Sequence, residues 1–351
     1  MHNTAITPDS GTAKRHPGFI SRGPALDASD LQRLTRLLDE VGARYQNVQA
    51  LDFLEAAPLI AQDFPLALRE FLCNARLREQ SGVFVLPALD IIGPITTRTP
   101  RDWREVASPT PTHRADIFLV LAASLMGDVF GWTTQQNGRY VHDVLPMLGL
   151  ETEQVGWSSL TPLTWHTEDA FHPHRADYLA LLCLRNPDGV ATTVCSITDL
   201  ELSAADEEIL WQERFLIRPD ESHLPKHNTS DTGLFDKIEE MMRNPAKVSV
   251  FFGNPRRPYL RIDPDYMIAA PGDRQAADAL AAVCASIDRN LHDLVLRQGD
   301  LCILDNFQVV HGRRSFHAQY DGNDRWLKRV NIKRDLRQAA VSLTYGTRLI
   351  S

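Results

Sequence analysis

The 351-residue chain has only five cysteines, Cys73, Cys183, Cys195, Cys284 and Cys302. Their odd number and the lack of any CxxC spacing exclude a disulfide framework and a cysteine-based structural zinc, so reduced, buried thiols are expected. Excess basic charge is also missing. Lys and Arg number 37 against 45 Asp and Glu, a net charge of -8 with no basic stripe, so nucleic acid is not the expected partner. No long hydrophobic run occurs: Ile117 to Met126 falls well short of the roughly 20 apolar residues a membrane span needs. Met1 to Gly18 lacks the apolar centre of a signal peptide, and residues 1–20 read as a flexible arm of a cytoplasmic enzyme that does not engage a membrane. Internal repeats and low-complexity tracts are absent.

What is present, 43% hydrophobic and 23% charged residues, suits a globular chain with a large core, and residues 21–351 are expected to form a single domain. Helical spacing of apolar residues predicts helices over Asp27 to Tyr45, Pro65 to Arg78, Ala115 to Met126, Ser203 to Phe215 and Asp273 to Leu291. Asp27, Ser29 and Asp30 are candidate caps for the first of these, and the third is apolar nearly all round, hence buried. Short β-like runs follow at Val83 to Leu86, Arg139 to Leu145, Tyr178 to Leu184, Thr192 to Ile197, Val248 to Phe252, Tyr259 to Ile262, Leu301 to Leu304 and Trp326 to Ile332. Many short strands split by Gly, Pro, Asn and Asp predict a mixed α/β, mainly β fold, a sandwich or jelly roll with flanking helices. Arg218 to Gly233 has neither period and reads as a long loop, a lid over about 216–235.

In Trp165-His166-Thr167-Glu168-Asp169 an imidazole and a carboxylate stand two residues apart, on one face of a strand. Alone this carries little, because 12 His and 45 acids yield roughly 1.5 such pairs by chance in a chain of this ordinary composition. Its weight comes from Asp300 to Asn306, a strand and turn, followed by His311-Gly312-Arg313 and then by Arg325 and Arg329. Two His and one carboxylate on one face of a metal leave three positions open, the arrangement of non-haem Fe(II) oxygenases. Two open positions suit the keto and carboxylate oxygens of 2-oxoglutarate and the third O2. The far carboxylate of that co-substrate needs a guanidinium, and Arg325 is the candidate. In a strand Arg325, Leu327 and Arg329 share a face, with Trp326 and Lys328 on the other.

The long strings Gly131 to Gly138, Trp165 to Phe171, Leu184 to Thr193 and His311 to Arg314 resemble the clavaminate synthase-like oxygenases of the TauD-like superfamily, specifically hydroxylases of free L-arginine and L-lysine. The resemblance covers about residues 127–336 and implies a distorted double-stranded β-helix over that core. It implies His166, Glu168 and His311 as catalytic iron ligands, with Arg325 and Thr193 holding 2-oxoglutarate. It further implies Gln135 with Glu168 at a substrate ammonium, Arg329 at the substrate carboxylate, and Asp263 and Asp265 at the basic end of the side chain. Halogenating relatives lack the metal carboxylate, so Glu168 points to hydroxylation, at C3 or C4 of arginine or lysine. One departure is the run Gly156-Trp157-Ser158-Ser159, where the arginine hydroxylases carry serines.

His172 and His174 are expected to lie outside the metal's own ligands, because Pro173 interrupts pairing and the triad is complete. His142, His223, His227, His292 and His317 show no ligand spacing and receive no role. Four other readings use the same residues: a zinc hydrolase, a desaturase or cyclase, a hydroxylase of another amino acid such as citrulline, and a catalytically silent cupin-like amino-acid binder.

Overall fold

The computed structural model describes residues 18–107, 109–228 and 235–351. The expected arm therefore lies almost wholly outside the described residues, as do residues 229–234 of the expected lid.

Strand β1 (Ile20–Arg22) precedes α1 (Ala28–Arg44), α2 (Leu51–Ile60), α3 (Leu66–Arg78), β2 (Val83–Pro87), α4 (Leu89–Ile92) and α5 (His113–Ser124). Next come β3 (Asp128–Trp132), β4 (His142–Val144), β5 (Leu163–His166), β6 (Tyr178–Arg185) and β7 (Thr192–Ser196). A third segment holds α6 (Ala204–Leu210), β8 (Phe215–Ile217), α7 (Asp236–Arg243), β9 (Ala246–Val248), β10 (Phe251–Asn254), β11 (Arg257–Leu260), β12 (Met267–Ala269) and α8 (Arg274–Arg289). The chain closes with β13 (His292–Leu294), β14 (Asp300–Asp305), β15 (Val309–Arg313), β16 (Trp326–Lys333) and β17 (Leu349–Ile350).

The fold is mixed α/β and dominated by sheet. A large sheet runs β1-β2-β14-β6-β16-β3-β17, with β4 also paired to β16, and a smaller one runs β13-β7-β15-β5. The apolar run of β6 shows why the large sheet sits where it does. Tyr178, Ala180, Leu182 and Leu184 pack with α1, α2 and α5, whereas Leu179, Leu181 and Cys183 meet Val194 of β7 and Val309 of β15. A strand buried on both faces has no polar side, so it reads as continuous hydrophobic sequence. The outer face of the small sheet, with Trp165, Cys195 and Val310, is covered by α6, α8 and the β8–β12 segment.

Helix ends follow local chemistry. Asp27 accepts from the Asp30 amide at 2.8 Å, Ser203 from Asp206 and Asp273 from Ala276. Of the three candidate caps for α1, Asp27 is the one used. Helix α5 is buried from Ala115 to Ala123, as its all-round apolarity requires.

Several boundaries differ from expectation. The strand expected over Arg139 to Leu145 shrinks to β4, because the Tyr140 and Val141 amides donate to Gln49 Oε1 instead of to a neighbouring strand. Val248 to Phe252 is split between β9, which pairs with β8, and β10, which pairs with β11. The helix from Ser203 stops at Leu210, and Phe215 opens β8 instead. Helix α2 escaped pattern reading because Pro58 lies inside it. The expected irregular loop is partly ordered: Glu221–His223 and Pro225–His227 form 3-10 turns. All five cysteines are free, although Cys73 and Cys284 are only half-buried. No helix among the described residues is long and apolar enough to cross a membrane.

Candidate active site

Strands β5 and β15 pair antiparallel with His166 opposite His311. Opposed residues point to the same side, so both imidazoles enter the space between the sheets, with ring centroids 4.7 Å apart. Gly312 permits this closeness: a Cβ there would lie 2.5 Å from the Leu163 carbonyl oxygen. Glu168 follows the end of β5, and its backbone is held by Asn306, which accepts from the Glu168 amide at 2.6 Å and donates to the Glu168 carbonyl at 3.0 Å. Asp169 then turns the chain at φ 49° and accepts from Trp132 Nε1 at 2.6 Å.

The three side chains converge. Glu168 Oε2 lies 3.7 Å from His166 Nε2 and 3.3 Å from His311 Nε2, and all three ligand atoms fall within 4.8 Å of one another. A cation held at about 2.1 Å by N and O donors on one face requires spacings of roughly 3 to 4 Å, so the donor set fits a divalent transition metal. His166 Nδ1 donates to the Thr164 carbonyl at 2.8 Å, which turns Nε2 towards Glu168 as the nitrogen that would bind a metal on giving up its proton. Burial opposes charge on Glu168, but Arg329 and the two imidazoles outweigh it and hold the carboxyl well below its usual range. For His166 burial is likewise overcome, by Glu168 and Asp263, and the pKa is pushed up to about 9.

The triad opens into a cleft between the two sheets. Arg325, Leu327 and Arg329 line it together, as strand alternation predicts, while Trp326 and Lys328 face the helices, where Lys328 Nζ meets Asp143 at 2.7 Å and Asp116 at 3.5 Å. Arg325 is buried, donates to Thr192 Oγ1 at 3.3 Å and leaves Nε without a partner. Burial pulls its pKa down to about 10. Buried donors without an acceptor are costly, so this end of the cleft is suited to an anion. The structure corrects one expectation here: the hydroxyl at Arg325 belongs to Thr192, not Thr193. Thr192 shares the His311 face of the small sheet, whereas Thr193 is paired with Gly312 on the opposite face, where its Oγ1 lies 2.8 Å from the place a Gly312 Cβ would take.

Arg329 Nη1 donates to Glu168 Oε1, and Nη2 donates to Gln135 Oε1 at 2.8 Å. Asp263 and Asp265 both border the cleft, but they are not equivalent: Asp263 is 7% exposed, while Asp265 is exposed and donates its amide to Asp263 Oδ1 at 3.0 Å. Asp220 and Ser222 reach the same cleft from the segment read only as loop. His223 beside them is fully buried, with Nε2 2.9 Å from Asp169 Oδ1 and Nδ1 2.7 Å from Thr134 Oγ1. His172 is also buried, edge-on to Trp132, and neither it nor His174 joins the metal group. Sequence reading missed Asn306, Thr192, Asp220, His142 and His223. Only Thr192 had a usable signal, since alternation along β7 from a core-facing Val194 selects it over Thr193.

A family model described as "Taurine catabolism dioxygenase TauD, TfdA family" matches residues 119–331. The chain is 42% identical over 336 residues to an enduracididine beta-hydroxylase of Streptomyces hygroscopicus, covering 93% of this chain and 98% of that one. It is 40% identical over 324 residues to an L-ornithine/L-arginine 3-hydroxylase of Catenulispora acidiphila, covering 89% and 94%. The crystal structure of the non-heme iron oxygenase OrfP in complex with Fe, succinate and (3S)-hydroxy-L-Arg superposes with a TM-score of 0.88 at 37% identity, over 95% of this chain and 99% of that one. The OrfP complex with Fe and alpha-ketoglutaric acid gives 0.83 at 36% identity, over 95% and 100%. With its convergent histidines and carboxylate, and with these likenesses along nearly its whole length, the chain belongs to the taurine catabolism dioxygenase TauD, TfdA family.

Proposed function

We propose that this protein catalyses the Fe(II)- and 2-oxoglutarate-dependent hydroxylation of an unactivated C-H bond, at C3 or C4, of a free basic L-amino acid. Arginine is the favoured substrate, because the relatives named above include an L-ornithine/L-arginine 3-hydroxylase and an oxygenase solved with (3S)-hydroxy-L-Arg. The observation that carries the reading is one cleft with three chemistries in sequence: the His166, Glu168, His311 donor set, a buried Arg325 with an unpartnered Nε, and the buried carboxyl of Asp263. The two sheets are read as a distorted double-stranded β-helix spanning about residues 127–336 of a single 21–351 domain, with about 216–235 as its lid.

His166, Glu168 and His311 hold the iron in this reading, and Arg325 with Thr192 holds the distal carboxylate of 2-oxoglutarate. Iron with 2-oxoglutarate and O2 supplies the oxidising power, converting the co-substrate to succinate and CO2 as the substrate gains a hydroxyl. The protein's part is aim. Arg329 takes the substrate carboxylate, Gln135 and Glu168 its ammonium, and Asp263 with Asp265 its cationic end, so that one carbon faces the metal. Two carboxylates suit the planar donor fork of a guanidinium and also tolerate a lysine ammonium.

The test is succinate formation with Fe(II), 2-oxoglutarate and a panel of free amino acids, with products read by mass spectrometry. The expected outcome is arginine- or lysine-dependent succinate and a product about 16 mass units heavier than its substrate. A product about two units lighter would indicate desaturation. Amino-acid binding without succinate would indicate the silent binder, and absence of any stimulation by arginine, lysine or citrulline would sink the substrate reading.

A further inference from the structure

In the β4–β16 pair His142 stands opposite Arg329, and Asp143 stands opposite Lys328. Alternation sends the first pair to the cleft and the second to the helices. His142 is buried, and its two ring nitrogens make different bonds. Nε2 lies 2.8 Å from the Arg139 carbonyl oxygen, which can only accept, so Nε2 carries the proton. Nδ1 is then a bare lone pair and accepts from Arg329 Nη2 at 2.7 Å. An imidazolium would turn a second N-H against the guanidinium; burial, and then the charge of Arg329, hold the His142 pKa well below its usual value. The neutral ring is fixed from both sides.

Arg329 is thereby held by three acceptors: His142 Nδ1 and Gln135 Oε1 on Nη2, and Glu168 Oε1 on Nη1. Its Nε is buried and has no partner. The guanidinium is fixed along one side and keeps a donor for an incoming anion. Gln135 and Glu168 both face the substrate ammonium in the reading above, so their bonds to Arg329 are open to competition once substrate enters. The bond from His142 is not, because His142 is buried on the neighbouring strand and, unlike Arg329, does not line the cleft.

We propose that His142 is a positioning residue for substrate recognition: its neutral Nδ1 holds the Arg329 guanidinium in the orientation that receives the α-carboxylate of the amino acid. Through Arg329, His142 then sets the preference for a free carboxylate over an uncharged amide. This inference rests on the reading of Arg329 as the carboxylate anchor.

The experiment compares arginine with argininamide, in steady-state kinetics with Fe(II) and 2-oxoglutarate, for wild type and three variants. His142→Leu keeps volume without polarity, His142→Gln offers a donor near the Nε2 position, and His142→Asn offers an acceptor near Nδ1. Leu and Gln are expected to raise the KM for arginine roughly 10- to 100-fold, the range for losing a hydrogen bond to a charged group. The KM for 2-oxoglutarate should stay unchanged, the arginine-over-argininamide preference should collapse, and Asn should restore most of it. Thermal melting identifies any variant that is misfolded, and the Asn-against-Gln contrast then decides.

Unchanged preference in the Leu and Gln variants, or equal losses for both substrates together with a higher KM for 2-oxoglutarate, overturns the positioning role. If wild type turns over no basic amino acid, the proposed function fails instead. Calorimetric binding of free L-amino acids and their amides to wild type and His142→Leu then decides the role of His142 separately, by the same collapse or persistence of the preference.

Discussion

His166 and His311 face each other across the β5–β15 pair with ring centroids 4.7 Å apart, and Glu168 Oε2 completes the group from the turn that follows β5. The proposed role of this set is to bind metal in the native state and not in the unfolded chain, so metal should stabilise the fold. At one hundred times Kd the gain is about 2.7 kcal/mol. Thermal unfolding with anaerobic Fe(II), or with Mn(II) as a redox-stable substitute, should show a rise in Tm. His166→Ala and His311→Ala should abolish both the shift and turnover; a full shift in either variant would place the metal elsewhere.

Gly312 bears on the same geometry. A methyl group at this position would meet the Leu163 carbonyl oxygen at 2.5 Å and push β15 away from β5. Gly312→Ala is expected to weaken metal binding roughly 10- to 100-fold, the size of effect seen when the surroundings of metal ligands are disturbed. Titration with Fe(II) or Mn(II) measures this, and wild-type affinity in the variant would show that the strand pair tolerates the shift.

Arg325 and Thr192 supply a direct comparison with Thr193. Arg325→Gln should raise the KM for 2-oxoglutarate most strongly, and Thr192→Val by about tenfold for one lost hydrogen bond to charge. Thr193→Val should leave it unchanged, since its hydroxyl faces Gly312 on the other side of the small sheet. A Thr193 effect exceeding that of Thr192 would reverse the assignment.

In its proposed role at the substrate's cationic end, Asp263 is expected to make the reaction pH-dependent. Burial pushes its carboxyl up to about 7, against the pull of His166 and with the repulsion of Asp220. A basic side chain needs the ionised form, which is present above this pKa and lost as pH falls through it. The kcat/KM for the basic amino acid should therefore drop below pH about 7, approaching tenfold per unit. In Asp263→Asn the overall value should be lower and this limb should vanish. A limb that persists in the variant belongs to another group.

Lys328 is a buried cation between Asp116 and Asp143. Burial raises the Asp116 pKa and Lys328 opposes that rise. Lys328→Met removes the cation shared by two buried carboxyls, leaving Asp143 to Trp326 and Arg139 and Asp116 to Thr110 and Thr112, with an expected loss of about 3 to 5 kcal/mol in urea unfolding. A loss below about 1 kcal/mol would mean that both acids become protonated or hydrated without difficulty.

Much of the architecture was legible in order and type. The apolar run of β6, the all-round apolar α5 and the Asp27-capped α1 were readable because burial on two faces, burial all round and capping each leave a local pattern. Helix α2 and the strands β8 and β12 were not, since Pro58 masks the first and three-residue strands carry too few residues for a period. Which of Thr192 and Thr193 stands beside Arg325 was also not legible in the motif, because adjacent strand residues point to opposite faces and a resemblance in sequence does not state the register.

By itself the sequence determined the kinds of side chain available to the site and their local spacing: His166 two residues from Glu168, His311 beyond a strand, Arg325 and Arg329 on one face of another. Its long strings also identified the family. Tertiary structure decided everything that depends on strands meeting across the sheets: His311 opposite His166, Arg329 opposite His142, Thr192 against Arg325, and Asp220 and Ser222 brought to the cleft. The reason is physical. Local pattern fixes which way a side chain points from its own strand, but register and sheet packing fix what it points at, and both are set by contacts between residues far apart in the chain.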